Sequence, residues 1–140
     1  MSDIVSKEQR SRMMSNIRPV SKLEDRVSRE LWHSGVRYRR NDKSLFGKPD
    51  FSIKKYRLVI FIDSCFWHGC PLHANIPKTN REFWLKKLGR NKERDLEVTT
   101  YYQSRGWNIL RIWEHDLKND FHGTMNFIAN FIGEYRANRP

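Results

Sequence analysis

The sequence predicts an α/β domain with a mixed central sheet flanked by helices. Three observations carry that expectation. The apolar run Leu58-Val59-Ile60-Phe61-Ile62 has the length and β-branched content of a buried strand. A long charged stretch with helical spacing separates it from a second strand-like run, Trp107 to Trp113. The order of segments is helix, three strands, helix, strand, helix. Hairpin-joined strands followed by a helical crossover give a sheet of mixed direction.

At 140 residues the chain is one domain with enough length for a real core. Residues 1–20 are basic and poor in apolar side chains, and Pro19 separates this arm from the body, residues 21–140. Ser21-Lys22-Leu23-Glu24 reads as a capping box opening the first helix. Leu23, Val27 and Leu31 recur at helical spacing, and Gly35 closes it. Val36 to Arg40 reads as a strand with Val36 and Tyr38 inward. A loop follows, then Phe51 and Ile53 alternate as in a half-buried strand, and Lys54-Lys55 makes the hairpin turn before Arg57 to Ile62. From Thr79 to about Arg105 a helix is expected, weakened midway at Gly89 and capped at Gly106. Trp107 to Trp113 is the next strand, ending in the polar group Glu114-His115-Asp116. The last helix, Asp120 to Ala137, sets Met125, Ile128, Phe131 or Ile132, and Tyr135 on one face.

Charge narrows the function. Lys and Arg number 27 against 16 acids, a net charge of +11, which suits a polyanion, nucleic acid first. The apolar runs are too short for a membrane helix of about 20 residues. The N-terminus lacks the apolar region of a signal peptide, so the expected compartment is the cytoplasm. Two cysteines in a reducing compartment favour metal over a disulfide.

The chemistry gathers where the apolar strand ends, at Asp63-Ser64-Cys65-Phe66-Trp67-His68-Gly69-Cys70-Pro71-Leu72-His73. Asp50 begins one strand and Asp63 ends the next, so in an antiparallel pair both carboxylates reach one hard cation such as Mg²⁺. Taken singly, each is an ordinary turn or strand-end aspartate. Cys65, Cys70 and His73 supply three zinc ligands, with His68 and His115 as candidates for the fourth. An imidazole at His68, if not a ligand, suits proton transfer near neutral pH. Phe66, Trp67 and Trp84 fall in or near basic stretches, where aromatic rings stack on bases or wedge between them; their plainer role is core filling.

These residues resemble the very-short-patch mismatch repair endonucleases (Vsr). The resemblance runs through Gln9-Arg10-Ser11-Arg12-Met13-Met14-Ser15-Asn16-Ile17, Gly47-Lys48-Pro49-Asp50-Phe51, the block Asp63 to His73, Lys78 to Trp84, Arg90-Asn91-Lys92-Glu93-Arg94-Asp95, and Gly106-Trp107 through His115. It implies a type II restriction endonuclease-like core of the PD-(D/E)xK class over residues 21–140. The implied activity is Mg²⁺-dependent nicking of double-stranded DNA next to the T of a T:G mismatch left by deamination of 5-methylcytosine. Asp50 corresponds to the central metal-binding carboxylate, with Asp63 beside it, His68 to the catalytic histidine, and Glu24 to an acid near the active site. Phe66, Trp67 and Trp84 match the wedge; Met14, Asn91, Lys87, Arg10 and Arg12 fall where DNA is contacted; Cys65, Cys70, His73 and His115 match the structural zinc. The family position of Asp63 can instead hold histidine, and Cys65 stands where the wider nuclease pattern has lysine. A monomer is implied, working at the bacterial nucleoid beside a mismatch-repair or DNA cytosine methyltransferase system. The rival expectations are a zinc-stabilised DNA-binding module without catalysis, and a sequence-specific restriction-type endonuclease.

Overall fold

Strand β3, Leu58–Asp63, is buried at all six positions because it has a neighbour on each side and helices over both faces. The computed structural model describes residues 22–65 and 76–137. Its sheet has the order β1-β2-β3-β4. Strands β1 (Arg39–Arg40) and β2 (Phe51–Ile53) are antiparallel to their neighbours, and β4 (Asn108–Trp113) runs parallel to β3. The expected mixed sheet between helices is therefore present. The arm at residues 1–20 lies outside the described residues.

One face of the sheet carries Phe51, Ile53, Leu58, Ile60, Ile62 and Ile112 into the larger core. Helix α1, residues 22–33, adds Val27 and Leu31 to that core, as its four-residue spacing requires. Its end is closed by Gly35 at φ +84°, which lets the Val36 amide donate back to the Leu31 carbonyl at 3.0 Å. Helix α4, Phe121–Ala137, lays Met125, Ile128 and Ile132 on the same core. Of the two candidates, Ile132 takes the inner position and Phe131 packs at the margin. Asp120 caps α4 by accepting the Gly123 amide at 3.0 Å.

The other face carries Val59 and Phe61 against Val98 and Tyr102 of helix α2, Arg81–Ser104. The expected weakening at Gly89 does not interrupt α2. A lone glycine costs only about 1 kcal/mol relative to alanine, and the buried Leu88, Val98 and Tyr102 hold the helix on either side.

Two further expectations need correction. The strand expected over Val36 to Arg40 is hydrogen-bonded only at Arg39–Arg40. Continuing the register would set Tyr38 opposite Ile53, where β2 ends and a 3-10 turn, Lys54–Tyr56, begins. Tyr38 turns to α1 instead, its hydroxyl donating to the Ser28 carbonyl at 2.6 Å. Val36 and Tyr38 still pack inward as expected. The polar run after Trp113 is a short helix, α3, Glu114–Asn119, whose Leu117 is wholly buried.

Candidate active site

Strand alternation and register decide which side chains meet. Phe51 pairs with Ile60, so Asp50 lies one step beyond, level with Phe61; Asp63 is two residues further along β3 and on the same face. Phe61 also pairs in parallel with Arg111, which brings Arg111 to that face. Over it runs α2, with Lys87, Asn91, Arg94, Asp95 and Val98 at the spacing of one helix face. Between them lies an open cleft of about 500 Å³, lined by Asp50, Asp63 and Arg111 from below, by these α2 residues, and by Gly47 and Lys48 at the rim.

The two aspartates are fixed differently. Asp50 is half-buried, and its Oδ2 accepts the Ile62 amide at 2.6 Å, a side-chain bond that ties the start of β2 to β3. Asp63 is buried, and its Oδ1 accepts from Arg111 Nη1 at 2.9 Å. Arg111 is held in turn by Thr99 Oγ1 at 2.9 Å and the Asp95 carbonyl at 3.2 Å. Its guanidinium lies 4.6 Å from the Phe61 ring centroid.

The rim is anchored from α2. The Tyr102 hydroxyl donates to the Phe46 carbonyl, and Phe46 stacks on Tyr101 with centroids 4.5 Å apart. Burial, with smaller contributions from Tyr101 and Asp42, pushes the Tyr102 phenol up to about 12.

Just past β3, Cys65 is buried with its Sγ 3.3 Å from His115 Nδ1. The Cys65 amide donates to Glu114 Oε1 at 2.9 Å, fixing the strand end to the start of α3. A thiolate and an imidazole on a tetrahedral zinc sit about 3.5 Å apart, given the usual bond lengths. This pair therefore fits two of four zinc positions. Among the described residues no three His, Cys, Asp or Glu side chains are grouped to hold a metal. Cys70, His73 and His68 lie outside the described residues, as do Phe66, Trp67, Met14, Arg10 and Arg12.

The remaining sequence candidates divide. Lys87 and Asn91 line the cleft. Trp84 is buried, edge-on to Phe83 at 5.2 Å, and is not among the cleft residues. Glu24 is also outside the cleft; its Oε1 accepts from Arg40 Nη2 at 3.1 Å and Asn41 Nδ2 at 3.2 Å. The Asn41 amide donates to the Asp50 carbonyl at 3.2 Å, so Glu24 reaches Asp50 through one intervening residue. Sequence reasoning passed over Arg111, Asp95, Arg94 and Lys48. The signal for Arg111 was present: a lone charge inside the otherwise apolar Ile109-Leu110-Arg111-Ile112.

Carboxylates at a sheet end, facing Lys87, Asn91 and Arg94 of α2 across a cleft, are an arrangement suited to a phosphodiester backbone. Comparison with known proteins makes the class specific. The model of the family DNA mismatch endonuclease Vsr matches residues 2–73. A type II nicking enzyme, V.NmeDIP of Neisseria meningitidis serogroup C, is 45% identical over 82% of this chain and 80% of its own. V.HpaIIP of Haemophilus parainfluenzae, also a type II nicking enzyme, is 43% identical over 84% of this chain and 86% of its own. The DNA mismatch endonuclease Vsr of Escherichia coli K12 is 40% identical over 84% of this chain and 77% of its own. The chain belongs to the Vsr family of DNA mismatch endonucleases. It is a Vsr-type DNA endonuclease, and among the described residues no helix is long and apolar enough to cross a membrane.

Proposed function

We propose that this endonuclease nicks one strand of duplex DNA next to the T of a T:G mismatch left by deamination of 5-methylcytosine, on a core of the type II restriction endonuclease kind. The observation that carries the reading is the placement of Asp50 and Asp63 on one face of the sheet beneath Lys87 and Asn91. The relatives named as nicking enzymes support single-strand cleavage.

Asp50 and Asp63 are the residues to hold Mg²⁺. When bound, that ion supplies a Lewis acid for the phosphoryl oxygen and a lowered pKa for water. Asp50 keeps its carboxylate at a set height because the Ile62 amide binds one oxygen. His68 accepts the proton of the attacking water at a ring nitrogen. Lys87 and Asn91, one turn apart on α2, bind the DNA along the cleft. Phe66 and Trp67 wedge beside the mismatch, which is cheaper to deform than a matched pair. Trp84 joins them only by leaving its buried position. Cys65, Cys70, His73 and His115 hold zinc; the closeness of Cys65 and His115 favours His115 over His68 as the fourth ligand.

The test is nicking of a labelled duplex carrying one T:G mismatch, beside its matched T:A control, with and without Mg²⁺. The expected result is a Mg²⁺-dependent nick at the mismatched T alone, lost in Asp50→Ala while DNA binding survives. Equal cutting of both duplexes removes the mismatch specificity, and normal cutting by Asp50→Ala removes the assignment of the site.

A further inference from the structure

Arg111 interrupts the apolar side chains of β4 and stands in the cleft wall. A half-buried guanidinium needs partners to offset its lost hydration. It has them inside the protein: Nε donates to Thr99 Oγ1, Nη1 to Asp63 Oδ1, and Nη2 to the Asp95 carbonyl. Five N–H groups are available on a guanidinium; among the described residues these bonds take three of them, and Nη1 also lies 3.9 Å from Asp95 Oδ1. The two that remain are on Nη1 and Nη2, at the tip of a side chain that lines the cleft.

The charges around it set a problem for any anionic ligand. Asp50, Asp63 and Asp95 all line the cleft. The other cations there, Lys48, Lys87 and Arg94, are exposed, so solvent and salt screen them strongly. Arg111 is the less exposed cation and is bonded directly to the buried acid.

We propose that Arg111 is the built-in cation of this cleft and a phosphate-binding residue: it neutralises Asp63 and offers its tip N–H groups to a phosphodiester oxygen, so that DNA seats against the carboxylates without a divalent ion. The inference rests on reading the cleft as the nicking site. Asp63, Thr99 and Asp95 then act as positioning residues for the guanidinium. Two consequences of opposite sign follow. Removing the Arg111 charge weakens metal-free DNA binding, and an added divalent cation makes up the loss. Removing the Asp63 charge releases the guanidinium from its nearer internal counter-ion, leaving Asp95 Oδ1 at 3.9 Å, and strengthens metal-free binding.

The experiment measures binding of a fluorescein-labelled duplex with one T:G mismatch by anisotropy, first in EDTA and then in Ca²⁺. Arg111→Met is expected to bind at least about tenfold more weakly in EDTA, the scale of a charge-assisted hydrogen bond. In Ca²⁺ it recovers to within about threefold of the parent protein. Arg111→Lys, which keeps the charge without the guanidinium fork, loses less than Arg111→Met in EDTA and comes within about threefold of the parent protein in Ca²⁺. Arg136→Gln removes a charge on α4, across the sheet, and changes affinity less than about twofold. Unchanged EDTA binding by Arg111→Met overturns the proposal. So does a loss that neither Ca²⁺ nor lysine restores, which marks a purely structural role, or an equal loss in Arg136→Gln, which marks net charge alone. If Arg111→Met fails to fold by circular dichroism, Asp63→Asn decides: tighter EDTA binding supports the proposal, and equal or weaker binding overturns it. Failure of the parent protein to nick at T:G, or nicking that ignores Asp50, defeats the functional reading instead; those results come from the nicking assay and do not depend on Arg111.

Discussion

Gly47→Ala should destabilise the protein by about 2–5 kcal/mol, the sum of two separable costs. The first is backbone. Gly47 has φ +75°, a left-handed conformation that costs an L-residue roughly 1–2 kcal/mol. The second is steric. An alanine Cβ at Gly47 would lie 2.8 Å from Val98 Cγ1 and 3.0 Å from Cγ2. Val98 is buried and β-branched, with little rotamer freedom on a helix, so the clash is relieved by strain of about 1–3 kcal/mol. Urea denaturation followed by tryptophan fluorescence measures the total. Placing Gly47→Ala on a Val98→Ala background removes the steric share and leaves about 1–2 kcal/mol for the backbone. A loss under about 1 kcal/mol, or strictly additive effects in the double variant, would refute the claim that Gly47 is required by its contact with α2. The same variants should nick more slowly, because Gly47 and Asp50 line one cleft.

Ile128→Ala empties a wholly buried position between α4 and the sheet and should cost about 2–5 kcal/mol in urea, with the midpoint shifted and the slope unchanged. The raised Tyr102 phenol favours the neutral form in the folded chain. The unfolded chain ionises first, near the ordinary value of 10.0, so stability is full below that pH and is lost as pH rises through about 12. Tyr102→Phe should lack this share of the alkaline loss, while giving up about 1 kcal/mol at neutral pH with the bond to Phe46. The proposed zinc site predicts about one zinc per chain by atomic absorption on the purified protein, and a lower content in His115→Ala; full retention would exclude His115 as a ligand.

The strands and helices most legible in the sequence were those whose pattern comes from burial. Strand β3 reads correctly because both faces are covered and nothing polar interrupts it. The placing of Asp50 and Asp63 along one cleft followed from strand ends and a short turn, which is local information. Where neighbours decide, the sequence said less. Strand β1 begins late, at Arg39, because its partner β2 is only three residues long, a fact held in β2 and not in Val36 to Tyr38. Helix α3 was hidden because six residues show too little periodicity, and only Leu117 marks its inner side. Arg111 was missed for the same kind of reason: its role depends on a parallel register with Phe61 and on Asp95 and Thr99, which lie 16 and 12 residues away along the chain. Trp84 shows the converse. Its setting in a charged stretch suggested a DNA wedge beside the plainer role of core filling, and tertiary packing buries it.

The bond from the Ile62 amide to the Asp50 carboxylate has a mechanical consequence. Asp63 is the next residue along β3, so the two acids hang from adjacent points of one strand end. Any displacement of that end carries both together, and their spacing is kept while their depth in the cleft varies. Charge and tether also coincide in a single side chain at residue 50, so Asp50→Ala cuts both. Asp50→Asn retains a carbonyl oxygen to receive the Ile62 amide and discards only the charge. A nick lost in both variants with equal melting temperatures belongs to the charge; lost rigidity alone would spare the asparagine form.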